Sequence, residues 1–191
     1  MKNKKAERAR PVRAVFLVGF MGAGKTSVGR ALGSLLGWPF EDLDDRVQRR
    51  EGRSIEQIFR ESGEAAFRHA EHAALREILS ELGTSCRIIA LGGGAFVQAN
   101  NADLLKKSRI PTVFQDGPVE ELFERCQRQQ LERPLRSDID EFRRLYRARY
   151  PHYQAASLRI DTGGKGVESV AAEVVAALGL GPAKSPGKNK S

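Results

Sequence analysis

Apolar residues in this chain fall into short bursts, separated by stretches in which they recur every three or four positions. The run Ala14–Val18 is apolar throughout and predicts a short strand buried on both faces. Residues 27–36 follow with Val28, Ala31, Leu32 and Leu35 at helical spacing. A second strand is expected over 38–42. A helix is expected from Ser54 to about Glu61, with Gln57 completing a capping box. A long amphipathic helix then covers 64–82. The third strand, 87–91, ends in Gly92-Gly93-Gly94, and the fourth spans 112–114. Pro118 marks the next helix start, 138 to about 148 is helical, and 158–160 forms a fifth strand ahead of a helix over about 167–178. Such alternation predicts an α/β fold on a mostly parallel sheet.

Ligands in such sheets sit at the carboxyl ends of the strands. Three features of the sequence fall at such ends. The first is Gly19-Phe20-Met21-Gly22-Ala23-Gly24-Lys25-Thr26, which fits G-x-x-x-x-G-K-[ST]. A glycine-rich turn that binds nothing could have the same letters. The strand before it and the helix after it favour a phosphate-binding loop. Glycines let successive N–H groups wrap a phosphate, and the helix N-terminus adds partial positive charge. Lys25 then reaches the β- and γ-phosphates, and Thr26 offers its hydroxyl to Mg²⁺.

The second feature is the acidic run Asp42, Asp44, Asp45. Phosphoryl transfer uses a carboxylate near Mg²⁺ and often another that orients or deprotonates the acceptor hydroxyl. If the chain is extended here, Asp42 and Asp44 share a side, and Asp45 faces elsewhere, at the start of a helix holding Val47. Plain helix capping is the alternative. The third feature is the glycine triplet. It is either a tight strand-to-helix turn or a place where a small ligand meets bare backbone.

Arginines raise further candidates. Arg68, beside Phe67, is either a solvated helix residue or a fork for a carboxylate. Residues 125–137 are polar, basic and broken by Pro134, which suits a surface loop or a mobile lid that brings an arginine onto the phosphates. Of Arg143, Arg144, Arg147 and Arg149, ahead of Tyr150 and Tyr153, at most one or two are expected to be functional.

Charge changes the picture less than its total suggests. The 191 residues carry a net +8, but residues 1–11 hold +4 and residues 181–191 hold +3, leaving about +1 for 12–180. The expected organisation is one folded domain, 12–180, between basic disordered tails, and nucleic acid is not an expected partner. No run reaches the roughly 20 apolar residues of a membrane span, and the basic N-terminus lacks the apolar segment of a secretory signal. Cys86 and Cys126 have no metal spacing and suit unpaired thiols in a reducing cytosol, so a cytoplasmic location is expected.

Taken together and in this order, the motifs resemble those of the shikimate kinase family, within the P-loop kinases related to nucleoside-monophosphate kinases. The resemblance covers about residues 13–178. It rests on the segment from Gly22 to Arg30, on Asp42-Leu43-Asp44 and on Gly52-Arg53-Ser54-Ile55 with Ile58-Phe59. It also rests on Gly63-Glu64 with Phe67-Arg68 and Glu71, the glycine triplet, Arg133-Pro134-Leu135, and Arg149 ahead of Tyr153. It implies a three-layer P-loop kinase fold, with a mostly parallel five-stranded sheet, helices on both faces and a lid over about 125–137.

The implied reaction moves the γ-phosphoryl of ATP to the 3-hydroxyl of shikimate, with Mg²⁺, in the pathway to chorismate and aromatic amino acids. The implied ATP site comprises Gly22, Ala23, Gly24, Lys25, Thr26, Ser27, Arg125 as an adenine-stacking residue, and Arg133 from the lid. Thr26 and Asp42 serve the metal. Asp44, Arg68, Gly92, Gly93, Gly94 and Arg149 hold shikimate, the two arginines by its carboxylate. Lys25, Asp44 and Arg133 are the catalytic set, and a monomer is expected. Two departures stand out. Thr26-Ser27 reverses the more usual order, and Gly163-Gly164-Lys165-Gly166 is unusually glycine-rich, which leaves the adenine contacts there open. The competing readings are a gluconate kinase-like enzyme, which would not need the two-arginine clamp, and a non-catalytic binding protein, which would be expected to have lost Lys25 or an aspartate.

Overall fold

The structure, a computed structural model, describes residues 12–128 and 138–181. Five strands form one sheet: β1 (Ala14–Val18), β2 (Phe40–Asp42), β3 (Arg87–Ala90), β4 (Thr112–Asp116) and β5 (Leu158–Asp161). Their spatial order is β2-β3-β1-β4-β5, and every pairing is parallel. The central strand explains its own composition. Phe16 and Val18 enter the core on one face, Val15 and Leu17 enter it on the other, and no position is left for a polar residue.

Helices α1 (Lys25–Leu36) and α7 (Val167–Leu178) cover the second of these faces, through Val28, Leu32, Leu36, Val170, Ala171 and Val174. The first face is covered by α3 (Ile55–Glu81) and α6 (Ile139–Tyr153), with Leu75, Ile78, Phe142 and Tyr153 among the buried contacts. The three layers expected from the sequence are therefore present.

Boundaries differ where local chemistry outweighs apolar period. Helix α3 contains both expected helices, broken at Gly63, whose φ of 77° and ψ of 176° leave helical space. Ser54 and Gln57 form the capping box, with bonds of 3.1 and 2.8 Å. Helix α6 runs past residue 148, through Pro151, to Tyr153. Helix α4 (Ala99–Ser108) is absent from the sequence reading, because it buries little beyond Asn101 and Leu105 and so shows no apolar stripe. Helix α5 (Val119–Arg128) follows Pro118 as expected.

Of the two backbone readings of the acidic run, helix capping is the one observed. The chain is not extended through Asp42 and Asp44. Asp42 caps helix α2 (Leu43–Glu51), its Oδ1 accepting from the Asp44 N–H at 3.0 Å, and Asp44 lies in the first helical turn. A cap hydrogen bond here outweighs continuation of a three-residue strand.

Candidate active site

The loop between β1 and α1 takes its shape from glycines placed for different reasons. Gly22 (φ 76°) passes so close to α5 that a Cβ would stand 2.2 Å from the Leu122 carbonyl oxygen. Gly24 (φ 83°) meets no obstacle and is glycine for its backbone angle alone, as the left-handed N-cap of α1. Ala23 is buried, and its N–H closes the turn onto the Phe20 carbonyl at 3.3 Å. Lys25 Nζ donates to the Gly19 and Phe20 carbonyls, each at 2.9 Å, which lays the ammonium across the loop mouth. Ser27 is exposed in the first turn of α1.

Thr26 faces β2. Its hydroxyl donates to Asp42 Oδ2 at 2.8 Å, so one carboxylate joins the loop to the capped start of α2. Among the described residues no group of three acidic, histidine or cysteine side chains forms a ready metal cage. One hydroxyl and one carboxylate at a phosphate loop nevertheless fit Mg²⁺, which keeps several waters and takes its remaining ligands from substrate phosphates.

The glycine triplet lies across the rim from this loop, and the structure separates its members. A Cβ on Gly92 would stand 2.6 Å from Asp44 Oδ1, and one on Gly94 would stand 2.8 Å from the Arg68 guanidinium nitrogens. These two are glycine so that a carboxylate and a guanidinium can lie on bare backbone. Gly93 would meet only ordinary contacts, with Met21 at 3.7 Å and the Gly19 carbonyl oxygen at 3.8 Å. Its open side faces the phosphate loop.

Two arginines flank the triplet. Arg68 reaches it from α3, with its side chain 20% exposed. It donates to Glu64 and to Glu71 at 3.1 Å, and its guanidinium lies 5.0 Å from the Phe67 ring centroid. Arg149 reaches it from α6, with Nη1 3.4 Å from the Gly93 carbonyl oxygen and the guanidinium 5.8 Å from the Phe20 ring. Residues 81 positions apart in sequence thus meet one turn. Of the clustered arginines on α6, Arg143 and Arg144 pair with Glu120, Asp140 and Glu141 on the surface, as expected of solvated residues.

Glu71 is a member of the site to which the sequence reading assigned no role. It is fully buried, and burial pushes its carboxyl up to about 7 against the opposing pull of Arg68. It fixes the guanidinium that lies over Gly94. The available signal was its spacing, three residues after Arg68 on one helical face.

Arg125, near the end of α5, donates to the Thr162 carbonyl at 3.0 Å and to Glu121 at 3.1 Å, placing it against the loop after β5. That loop needs its glycines. A Cβ on Gly163 would stand 2.9 Å from Pro118 Cδ, Gly164 has a φ of 62°, and its N–H donates to Glu121 at 3.1 Å. Arg133 and most of the expected lid, 129–137, lie outside the described residues. A separate cleft of about 740 Å³ opens between α6 and β5, floored by Asp116. That carboxylate already accepts from Tyr146, Tyr150 and Arg159, and the cleft has no phosphate loop.

A phosphate loop entering α1, a Thr–Asp pair beside it and an acidic residue across the rim define a P-loop kinase. Comparison with known proteins narrows the class. A family model described as shikimate kinase matches residues 21–179. A shikimate kinase from Thermus thermophilus is 39% identical over 175 residues, covering 90% of this chain and 93% of its own. A solved shikimate kinase from Acinetobacter baumannii, in complex with shikimate, superposes with a TM-score of 0.79 at 36% identity, covering 87% and 93% of the two chains. The chain belongs to the shikimate kinase family, an ATP-using family of transferases. A gluconokinase from Sinorhizobium meliloti, at 17% identity and a TM-score of 0.54, shares the fold alone. No helix among the described residues is long and apolar enough to cross a membrane.

Proposed function

We propose that this protein transfers the γ-phosphoryl group of ATP to the 3-hydroxyl of shikimate, using Mg²⁺, and that it acts as a cytoplasmic monomer. One observation carries the substrate assignment. Asp44, Arg68 and Arg149, from three different helices, converge on the Gly92–Gly94 turn, whose open member faces the phosphate loop. A carboxylate for hydroxyls and two guanidiniums for a carboxylate suit a ring that bears both groups.

In this reading Lys25 follows the charge that moves between the phosphates, and Arg133 adds a second cation from the lid. Thr26 and Asp42 would hold Mg²⁺, which would supply positive charge to offset that of the phosphates. Gly22, Ala23, Gly24 and Ser27 line the phosphates, and Arg125 stacks on adenine. Asp44 accepts a hydrogen bond from the substrate hydroxyls and takes the proton of the attacking one. Glu71 acts through Arg68, holding its fork in place while Arg149 closes the other side.

A coupled ADP-release assay tests the assignment, with shikimate, quinate, gluconate and nucleoside monophosphates offered separately. Turnover with shikimate that exceeds the others is expected. Robust turnover with gluconate or a nucleotide alone would sink the proposal, because neither presents a carboxylate and hydroxyls on one rigid ring.

A further inference from the structure

We infer that Tyr153 is a positioning residue for the acceptor site, and that its hydroxyl sets the plane of the Gly93–Gly94 peptide. The inference rests on the substrate site proposed above. Tyr153 ends α6 and is fully buried, with its ring stacked on Phe114 at 5.3 Å between centroids. Packing alone would be served by phenylalanine. A hydroxyl so deep costs stability unless it is hydrogen-bonded, and burial pushes it up to about 12, so it stays a donor. It donates to the Gly93 carbonyl oxygen, the same oxygen that Arg149 approaches at 3.4 Å.

A trans peptide is planar, so its C=O and its N–H point in opposite directions, and this chain has no cis bond among its described residues. With the Gly93 carbonyl turned toward α6, the Gly94 N–H points away from α6, and the Arg68 guanidinium packs against the same glycine, 2.8 Å from where its Cβ would stand. Among the described residues that N–H has no acceptor. A free donor beside a guanidinium is a place for a substrate oxygen. Tyr153 thus orients a donor it does not touch, and by sharing its acceptor with Arg149 it sets the register of that arginine as well.

The test is Tyr153→Phe in the full chain, which removes one oxygen and keeps the stacked ring. The expected result is a KM for shikimate raised about tenfold, with kcat within threefold of wild type and the KM for ATP within twofold. Equal losses for both substrates, or a lowered Tm with both KM values unchanged, would reduce Tyr153 to a packing residue and overturn the inference. A wild-type measurement covers the case in which the variant folds poorly. In ¹⁵N-glycine-labelled protein, saturating shikimate should shift the Gly94 amide resonance and slow its exchange, and an unresponsive Gly94 amide would overturn the inference. Arg149→Ala separates this failure from failure of the site itself. If Arg149→Ala raises the shikimate KM and Tyr153→Phe does not, the clamp stands and the tyrosine role falls. If neither does, the proposed substrate site falls with it.

Discussion

The two sides of the cleft are built on different principles. The phosphate side is built around a contiguous loop: eight residues, Gly19 to Thr26, between one strand and one helix, whose function lies mostly in backbone shape. The acceptor side is dispersed. Asp44, Arg68, the glycine triplet and Arg149 come from α2, α3, the end of β3 and α6, and they meet only because the parallel sheet brings those ends to one rim. A backbone device tolerates changes of side chain, those of Lys25 and Thr26 excepted, but not of φ. A side-chain device tolerates neither loss of charge nor loss of the neighbours that hold it. Substitutions on the two sides should therefore fail in different ways.

The largest effect is expected on the phosphate side. Lys25→Ala should lower kcat by a factor on the order of a thousand, as for loss of a preorganised group that follows transferring charge. Its hydrogen bonds to the Gly19 and Phe20 carbonyls lie within the loop itself rather than between layers of the fold, so the fold should survive. Steady-state kinetics and a thermal melt check both points. A near-normal kcat would remove the lysine from the chemistry.

On the acceptor side the expected failure lies in KM. Arg68→Ala or Arg149→Ala should raise the KM for shikimate tenfold to a thousandfold, reflecting a loss of about 1.5–3 kcal/mol or somewhat more of charged hydrogen bonding, while the KM for ATP barely moves. The double variant should lose less than the sum, since both groups serve one carboxylate. An analogue in which a neutral hydroxymethyl replaces the carboxylate sharpens the test. Equal discrimination against it by wild type and both variants would return the arginines to the surface.

The same contrast explains what could be read from sequence. The phosphate loop was legible because its letters are adjacent and its flanks alternate in type. The core was legible because β1 has no polar position to blur its period. Arg68 and Arg149 could be paired only through the family resemblance, because spacing alone cannot show that residues 81 positions apart return to one turn. The relation between Asp42 and Asp44 stayed open between an extended pair and a helix cap. Period-two reasoning assumed an extended chain, and the Asp42 side chain instead captures the Asp44 N–H and starts a helix. Helix α4 was missed because Asn101 occupies one of its buried positions and donates to the Ala95 carbonyl at 3.0 Å. The role of Glu71 was hidden because a helical glutamate is ordinarily solvated, and only packing shows this one to be buried.

Within the triplet the two principles meet, and glycine-to-alanine changes separate them. Gly93→Ala adds a methyl with no clash and no unfavourable φ, in the direction of the phosphate loop. It should leave Tm within about 2 °C of wild type, as for a surface-like change, and raise the shikimate KM by at least tenfold through occupied space. Gly94→Ala must displace the Arg68 guanidinium and should lose both stability and affinity. If the two variants behaved alike, the open side of Gly93 would not be the substrate's.

A last effect, read in stability rather than in rate or affinity, is a pH dependence of the acceptor side. Glu71 is held near 7 in the fold against a usual value near 4.5, because burial disfavours its charge more than Arg68 restores it. A carboxyl raised on folding binds more protons in the native state than in the unfolded one between these values. Its contribution to stability is therefore complete below about pH 4.5 and is lost as pH rises to about 7. The shift corresponds to about 3 kcal/mol at most. Glu71→Gln removes the titration while keeping an acceptor for Arg68. Urea unfolding of both proteins at pH 5 and pH 8 should show wild type losing up to that amount relative to the variant as the pH rises. Parallel curves would mean that Glu71 titrates as an exposed carboxylate does, and that the guanidinium over Gly94 is held by Glu64 and the Phe67 ring instead.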